Sequence, residues 1–129
     1  MKLTDITVVV PTRNEQENIL PFLESFSPKI PLIIVDDSED STPALIERHR
    51  PARTLVLRRP GNISQARQWG GEYAQTRWLL FTDADVTFAP DYFERLSGQQ
   101  GYNIVYGPKL SLVDYAAYYR WFARGQHLC

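Results

Sequence analysis

Two aspartates separated by one residue follow an apolar run in the segment WLLFTDADVTF, residues 78–88. Asp83 and Asp85 repel each other at this spacing, so a cation or a hydrogen-bonded turn is needed to offset the repulsion. If the segment is extended, both side chains point to the same side and direct carboxylate oxygens to one point. Such a pair suits Mg²⁺ or Mn²⁺ that is shared with phosphate oxygens. A capped turn before the helix at Pro90 is the alternative.

A second acidic pair, Asp36 and Asp37, lies in IIVDDSEDST. These carboxylates could accept hydrogen bonds from ribose hydroxyl groups or from the imino group of a base. The alternative is an Asx-type turn leading into a helix that has Thr42 as its N-cap and Pro43 as its first residue. Two acidic pairs at the ends of neighbouring strands favour a site for metal and phosphate over two unrelated turns.

Basic residues follow in RRPGNISQARQWGG, residues 58–71. Arg67 lies one turn into a helix predicted to begin at Ser64, and a helix N-terminus is a favourable place for an anion. Gly61 allows the backbone to turn sharply before that helix. Arg58 and Arg59 could steer phosphate, but exposed arginines near a loop are more often simply solvated. The sequence shows no Ser-His-Asp or Cys-His arrangement.

Short apolar runs alternate with segments of helical periodicity along the chain. The predicted strands run from Ile6 to Val10, Leu32 to Val35, Thr54 to Leu57, Trp78 to Phe81 and Asn103 to Gly107. The predicted helices run from Asn18 to about Phe26, from Thr42, from Ser64, from Pro90 to about Leu96, and from Asp114 to His127. Continuous rather than alternating apolar character is typical of parallel strands that are covered on both faces.

This order of elements predicts an α/β fold with an open, mostly parallel, Rossmann-like sheet and helices on both faces. Such sheets bind ligands at the carboxyl ends of their strands. Each of the first four predicted strands ends in charged or turn-forming residues. We therefore expect the acidic pairs and the arginines to meet at one edge of the sheet.

Composition limits the classes of protein to consider. The 129 residues suit one domain, and 14 basic against 15 acidic residues leave a net charge of -1. That balance predicts no general attraction to nucleic acid or to an anionic membrane. The single cysteine, Cys129, excludes an intrachain disulfide. The sequence predicts neither a signal peptide nor a transmembrane segment, so we expect a soluble, cytoplasmic protein.

In this order and spacing, the segments VVVPTRNEQENI, IIVDDSEDST, GNISQARQWG and LLFTDADV resemble family 2 inverting glycosyltransferases, from about Ile6 to Val86. Those enzymes have the GT-A fold, a nucleotide-sugar binding domain. The resemblance implies transfer of a sugar, with inversion and with the help of Mg²⁺ or Mn²⁺, from a nucleotide-diphosphate sugar to an acceptor hydroxyl. UDP-sugars are the commonest donors in the family, and the acceptor would be a glycan or a lipid-linked molecule. A peripheral position at the inner face of the membrane is an alternative that the family allows.

Matched position by position, the resemblance implies a set of residues that bind the donor: Pro11, Thr12, Arg13, Glu15, Asp36, Asp37, Arg67, Asp83 and Ala84. Asp36 would contact the base. Asp83 and Asp85 would hold the metal, with Asp85 as its main ligand. The chain departs from the family at Ser38, where many members have glycine, and at Gln68, where asparagine is usual; we interpret both as subfamily variation.

The resemblance leaves the general base unidentified. An inverting transfer needs a base that deprotonates the acceptor hydroxyl, and the family supplies a carboxylate well beyond the D-x-D. The 44 residues after Asp85 contain no match to that motif, although Asp91, Glu94 and Asp114 lie among them. We therefore expect residues 1–129 to form a single GT-A-like domain that is truncated at its C-terminus.

Three other functions are compatible with parts of the sequence. The first is a non-catalytic fragment that binds a nucleotide sugar and metal but lacks the base. The second is a receiver-like domain with Asp83 as the phosphoacceptor. The third is a haloacid-dehalogenase-like phosphatase with Asp83 as the nucleophile and Asp85 as the acid/base.

Overall fold

The computed structural model describes residues 2–98 as four parallel strands with connecting helices. The strands are β1 (Ile6–Thr12), β2 (Leu32–Asp36), β3 (Thr54–Arg58) and β4 (Trp78–Phe81). The helices are α1 (Ile19–Glu24), α2 (Thr42–His49), α3 (Ile63–Tyr73) and α4 (Tyr92–Ser97), preceded by a 3₁₀ turn at Leu3–Asp5. The strand predicted from Asn103 to Gly107 and the helix predicted from Asp114 to His127 lie outside the described residues.

The four strands form one open sheet in the order β3-β2-β1-β4, and every pair is parallel. This confirms the predicted α/β class and the parallel, open sheet. The register aligns the last residues of three strands, because Thr12 pairs with Asp36 and Asp36 with Arg58. Polar residues from three strands therefore meet at the carboxyl edge of the sheet.

The main core lies on one face of the sheet, between the central strands and helices α1 and α2. Val8, Val10 and Ile34 belong to the same buried cluster as Phe22 of α1 and Ile46 of α2. Helix α3 covers the opposite face. Apolar burial on both faces of the two central strands is the main force that holds these layers together.

Coverage on both faces was predicted for all four strands, and it is wrong for β3 and β4 within residues 2–98. Leu55 of β3 is 41% exposed, and Leu79 and Phe81 of β4 are 40% and 46% exposed. The reason is geometric. Helix α3 contacts β1 and β2, and one helix is too narrow to cover four strands.

The four predicted helix starts within residues 2–98 all shift by one or two residues: α1 begins at Ile19 and α4 at Tyr92, later than predicted, while α2 and α3 begin one residue earlier. Helix α2 begins at Thr42 with Ser41 as its N-cap, whereas Thr42 had been predicted as the cap. Helix α3 begins at Ile63 and is capped by Asn62, whose side chain accepts a hydrogen bond from the backbone of Gln65 while the Gln65 side chain accepts one from the backbone of Asn62. This reciprocal capping box satisfies two of the amides that a helix N-terminus leaves unpaired.

Candidate functional site

A cavity of about 700 Å³ opens at the carboxyl ends of the strands. This volume is typical of sites for small molecules. Most of the predicted site residues line it, namely Pro11, Thr12, Arg13, Glu15, Asp37, Asp83, Ala84 and Asp85. Asp36 and Arg67 are not part of its wall. A second cavity of about 580 Å³ next to Phe26 and Phe93 contains none of the predicted site residues.

The two adjacent aspartates Asp36 and Asp37 have different surroundings. Asp37 lies on the cavity wall, and its backbone amide donates to the carbonyl oxygen of Thr12 at 3.0 Å. Asp36 is fully buried beneath the wall. Its Oδ1 accepts from the hydroxyls of Thr12 at 2.6 Å and Ser38 at 2.7 Å, and its Oδ2 lies 3.1 Å from the Ser38 amide and 3.0 Å from Nε of Arg58.

Every oxygen of Asp36 is therefore engaged by the protein, as a buried charge requires. The contact between Asp36 and the nucleobase of a ligand stays a prediction. Of the two aspartates, Asp37 is the one that lines the cavity. Consecutive side chains on a strand point in opposite directions, so a sequence of two aspartates leads to two different environments.

The loop after β1 (residues 13–16) and the loop after β2 (residues 37–41) bind each other through side chains. Each loop supplies acceptors for backbone amides of the other, and Thr42 at the start of α2 supplies one more acceptor. Five hydrogen bonds make this ladder: Asn14 N to Ser38 Oγ at 2.8 Å, Glu15 N to Thr42 Oγ1 at 2.9 Å, Gln16 N to Asp40 Oδ2 at 3.4 Å, Glu39 N to Asn14 Oδ1 at 2.9 Å, and Ser41 N to Gln16 Oε1 at 3.3 Å. The ladder holds two walls of the cavity together.

Sequence reasoning missed this ladder and the part that Ser38 plays in it. The available signal was the run of small polar residues in both loops, since such side chains commonly bond to nearby backbone. The spacing between the two loops along the chain gave no indication of which residue meets which.

The loop between β3 and α3 is held against the helix by aromatic side chains. The guanidinium of Arg59 lies 5.4 Å from the ring centroid of Trp69 and 5.7 Å from that of Tyr73, and it donates to the Tyr73 hydroxyl at 3.2 Å. A Cβ added at Gly61 would lie 2.9 Å from a ring atom of Trp69, so this position favours glycine because the backbone passes close to the indole. Arg59 is exposed but anchored, because an aromatic face attracts a cation.

The acidic pair Asp83 and Asp85 lies in the loop after β4, which ends at Phe81. The premise of an extended segment is therefore not met, although Asp83 and Asp85 both line the cavity. Nη2 of Arg67 lies 3.4 Å from Oδ1 of Asp83, and both side chains are partly exposed. Nε of Arg67 is buried and makes no hydrogen bond to the described residues.

The donor set fits one kind of metal site. Within residues 2–98 no group of three or more histidine, cysteine, aspartate or glutamate side chains is placed to hold a metal ion. Two carboxylates on the cavity wall, those of Asp83 and Asp85, are donors of the type that Mg²⁺ or Mn²⁺ uses together with water and phosphate oxygens. Such an ion is held jointly by protein and ligand.

Neither Asp91 nor Glu94, the two candidates for the general base within residues 2–98, lines the cavity. Asp91 forms an ion pair with Arg95 at 3.6 Å and does not line the cavity, while Glu94 lines the other cavity. Asp114 lies outside the described residues.

Residues 2–98 contain no helix that is long and apolar enough to cross a membrane.

Comparison with known proteins gives a consistent family. The sequence model of Glycosyl transferase family 2 matches residues 7–103. A 4,4'-diaponeurosporenoate glycosyltransferase of Staphylococcus haemolyticus is 28% identical over 125 residues, which cover 80% of this chain and 33% of the relative. An uncharacterized glycosyltransferase of Haemophilus influenzae is 27% identical over 120 residues, covering 84% of this chain and 40% of the relative.

Solved structures show the same fold. A mannosyltransferase, PcManGT from Pyrobaculum calidifontis, solved in complex with GDP-Man and Mn²⁺, superposes with a TM-score of 0.66 and 25% identity over 85% of this chain and 35% of its own. Residues 1–349 of TarS from S. aureus superpose with a TM-score of 0.66 and 24% identity over 72% of this chain and 31% of its own. The chain thus spans between three and four tenths of the length of these proteins.

Proposed function

Because this chain belongs to glycosyl transferase family 2, we propose that its cavity binds the nucleotide-diphosphate sugar of a metal-assisted, inverting glycosyl transfer. The observation that carries the proposal is the meeting of the segments 11–13, Asp37 and 83–85 at one cavity. These segments come from three distant parts of the chain. Their convergence at the carboxyl edge of a parallel sheet is the general position of a ligand site in such folds.

The roles follow from the position of each group. Asp37 and the residues at the end of β1 would bind the nucleoside, because a carboxylate there can accept hydrogen bonds from imino or hydroxyl groups. Asp83 and Asp85 would hold Mg²⁺ or Mn²⁺. When bound, the cation neutralises charge on the leaving nucleotide diphosphate.

Arg67 would contribute to binding of the diphosphate. Its guanidinium lies 3.4 Å from Asp83, which lines the cavity, so its positive charge is next to the place proposed for the diphosphate. A guanidinium binds phosphate oxygens well because its donors are fixed in one plane. The N-terminus of α3, where Asn62, Ile63 and Ser64 line the cavity, adds a partial positive charge on the same side.

The identity of the donor and acceptor belongs to the same proposal. UDP-sugars are the expected donors from the sequence, while the superposing mannosyltransferase holds GDP-Man and Mn²⁺. The acceptor would be a glycan or a lipid-linked molecule, and the protein would act in the cytoplasm. A fragment that binds donor without transferring the sugar is the second candidate, because neither Asp91 nor Glu94, the candidates for the general base within residues 2–98, lines the cavity.

The proposal is tested by calorimetric titration of UDP, GDP and dTDP with and without Mn²⁺. We expect binding that requires Mn²⁺ and that weakens at least about tenfold in Asp85→Asn, since about 1.4 kcal/mol corresponds to a factor of ten. Asp91→Asn is the matched control: it makes the same chemical change at an aspartate that does not line the cavity. Circular dichroism first establishes that each variant is folded.

Two results contradict the proposal. One is a folded wild-type protein that binds none of the three nucleotides. The other is binding that is equally strong in Asp85→Asn and in wild type. Binding of a phosphoryl mimic with Mg²⁺ in place of a nucleotide would favour the receiver or phosphatase hypotheses, both of which the family match disfavours.

A further inference from the structure

Ser38, one of the two departures from the family pattern, lies where three segments of the cavity wall meet. It is 6% exposed. Its amide and its hydroxyl both donate to Asp36, its hydroxyl accepts from the amide of Asn14 at 2.8 Å, and its carbonyl accepts from Nη2 of Arg58 at 3.0 Å. Ser38 therefore links the ends of β2 and β3 to the loop that follows β1.

The hydroxyl of Ser38 is the part that glycine would lack. A hydroxyl has one proton to donate and lone pairs that accept. Here the proton goes to Asp36 and a lone pair receives the amide of Asn14. Asp36 is itself held by Thr12 and Arg58. The hydroxyl of Ser38 therefore connects the loop of residues 13–16 to a carboxylate whose position is fixed by the sheet.

That loop has a backbone conformation that needs support. Asn14 has a φ of 54°, in the left-handed region that non-glycine residues occupy infrequently. The residues on either side of it, Arg13 and Glu15, both line the cavity. Loss of the acceptor for the Asn14 amide would allow the loop to leave this conformation and would move both side chains.

We propose that Ser38 is a positioning residue for the nucleotide site: its hydroxyl holds Arg13 and Glu15 on the cavity wall before the ligand arrives. This inference rests on the proposed function. A ligand that finds its binding conformation only partly populated binds more weakly in proportion to that population. The net value of one hydrogen bond corresponds to a change of about three- to tenfold in the equilibrium constant between the held and the open loop, and this factor is the upper limit of the loss of affinity.

The test compares Ser38→Ala and Ser38→Gly with wild type in titrations of UDP, GDP and dTDP in the presence of Mn²⁺ at 25 °C. We expect both variants to bind measurably more weakly, by a factor of up to about ten, by the argument from one hydrogen bond. Amide hydrogen exchange of residues 13–16 is measured without nucleotide, and we expect it to be faster in both variants. Local opening of a loop is what hydrogen exchange reports.

Thr76→Val is the matched control. Thr76 shares a hydrogen bond with the hydroxyl of Thr7 and donates to the carbonyl of Trp78 at 2.9 Å, at the amino end of β4 and away from the cavity. Like Ser38→Ala, the substitution Thr76→Val removes a partly buried hydroxyl group, so it lowers the stability of the protein by a similar mechanism. We expect unchanged nucleotide affinity and unchanged exchange at residues 13–16.

The outcomes separate this inference from the function on which it rests. If the wild type binds none of the nucleotides, the proposed function fails and the inference fails with it. If the wild type binds and Ser38→Ala binds equally well, or if exchange at residues 13–16 does not change, the inference alone is wrong. Equal weakening in Thr76→Val would also overturn it, because the effect would then come from global stability.

Discussion

Two adjacent glycines of α3 test how closely this helix lies on the sheet. Gly70 is buried, and a Cβ added there would overlap Cγ1 of Val9 and lie 3.4 Å from Cγ2 of Val35. At Gly71 an added Cβ would lie 3.5 Å from Cδ1 of Leu79, which is an ordinary contact. We therefore predict effects of opposite sign for Gly70→Ala and Gly71→Ala on the free energy of unfolding.

The magnitudes follow from two terms. Alanine in place of glycine in a helix stabilises by roughly 0.5–1 kcal/mol, because glycine loses more backbone freedom on folding. For Gly71→Ala nothing opposes this gain. For Gly70→Ala the methyl group meets a fully buried Val9 whose χ1 is restricted by β-branching, and overpacking of this kind costs about 1–3 kcal/mol.

The severity of the overlap places Gly70→Ala in the upper half of that range. After the helix term is subtracted, we expect a net destabilisation of about 1–2 kcal/mol, and hence a difference of about 2–3 kcal/mol between the two variants. Urea unfolding measures both free energies, and an unchanged slope shows that the unfolding reaction has stayed the same.

A double variant provides the control. Val9→Ala removes the group that the new methyl overlaps, so in Val9→Ala/Gly70→Ala the two side chains share the space. We expect a favourable coupling free energy of about 1 kcal/mol or more, as is usual for residues in contact. The reasoning is refuted if Gly70→Ala is as stable as Gly71→Ala, since α3 would then not be in close contact with β1.

Three further predictions concern charged side chains. Arg50 is 4% exposed and donates to main-chain oxygens, and burial lowers its pKa to about 10, so it stays charged at neutral pH. Arg50→Met should lower the free energy of unfolding by about 2–4 kcal/mol, because those oxygens lose their partners; urea unfolding measures the change. Burial alone would raise the pKa of Asp40, but hydrogen bonds, the one from Thr42 first, outweigh burial and lower this pKa below its ordinary value of 3.8. The stability that the Asp40 carboxylate contributes over Asp40→Asn should therefore be present above pH 4 and shrink as the pH falls below 4. Arg67→Gln should weaken nucleotide binding but strengthen Mn²⁺ binding to the free protein about two- to fivefold, because the cation that competes for Asp83 is removed. Paramagnetic resonance of Mn²⁺ measures binding of the metal. A fall in both affinities would contradict this prediction.

The sequence predicted the strands well and their ends less well. Each of the four strands predicted within residues 2–98 overlaps an observed one, because continuous apolar runs bounded by charges are a strong signal. Three strands nevertheless extend into polar residues that hydrophobicity does not detect. Thr12, Asp36 and Arg58 are strand residues because backbone pairing continues through them in register.

The candidate site was predictable as a set of segments but not as a set of contacts. Motif spacing located both acidic pairs and the carboxyl edge of the sheet at which they lie. It could not decide which of Asp36 and Asp37 lies on the wall, since that depends on the face to which each side chain points. It also could not find the partners of Asp36, because Thr12, Ser38 and Arg58 come from three separate segments.

Both acidic pairs follow the same electrostatic pattern. In each, one aspartate pairs with an arginine: Asp36 with Arg58 and Asp83 with Arg67. Within residues 2–98 the other members of the pairs form no ion pair with a basic side chain and line the cavity. Arg58, for which the sequence left phosphate steering and simple solvation open, forms an ion pair with a buried carboxylate.

This pattern bears directly on whether a cation takes part. A diphosphate placed against the loop of residues 83–85 would meet the negative charge of Asp85 and of the partly neutralised Asp83, and like charges in a partly enclosed cavity repel. Arg67 carries one positive charge, and its contact with Asp83 already uses part of that charge. A divalent cation between the carboxylates and the phosphates would change both contacts from repulsive to attractive. Binding of a nucleotide diphosphate to this cavity should therefore depend on the metal more steeply than binding of the nucleoside alone, which lacks the phosphate charges and should bind to the same extent with and without Mn²⁺.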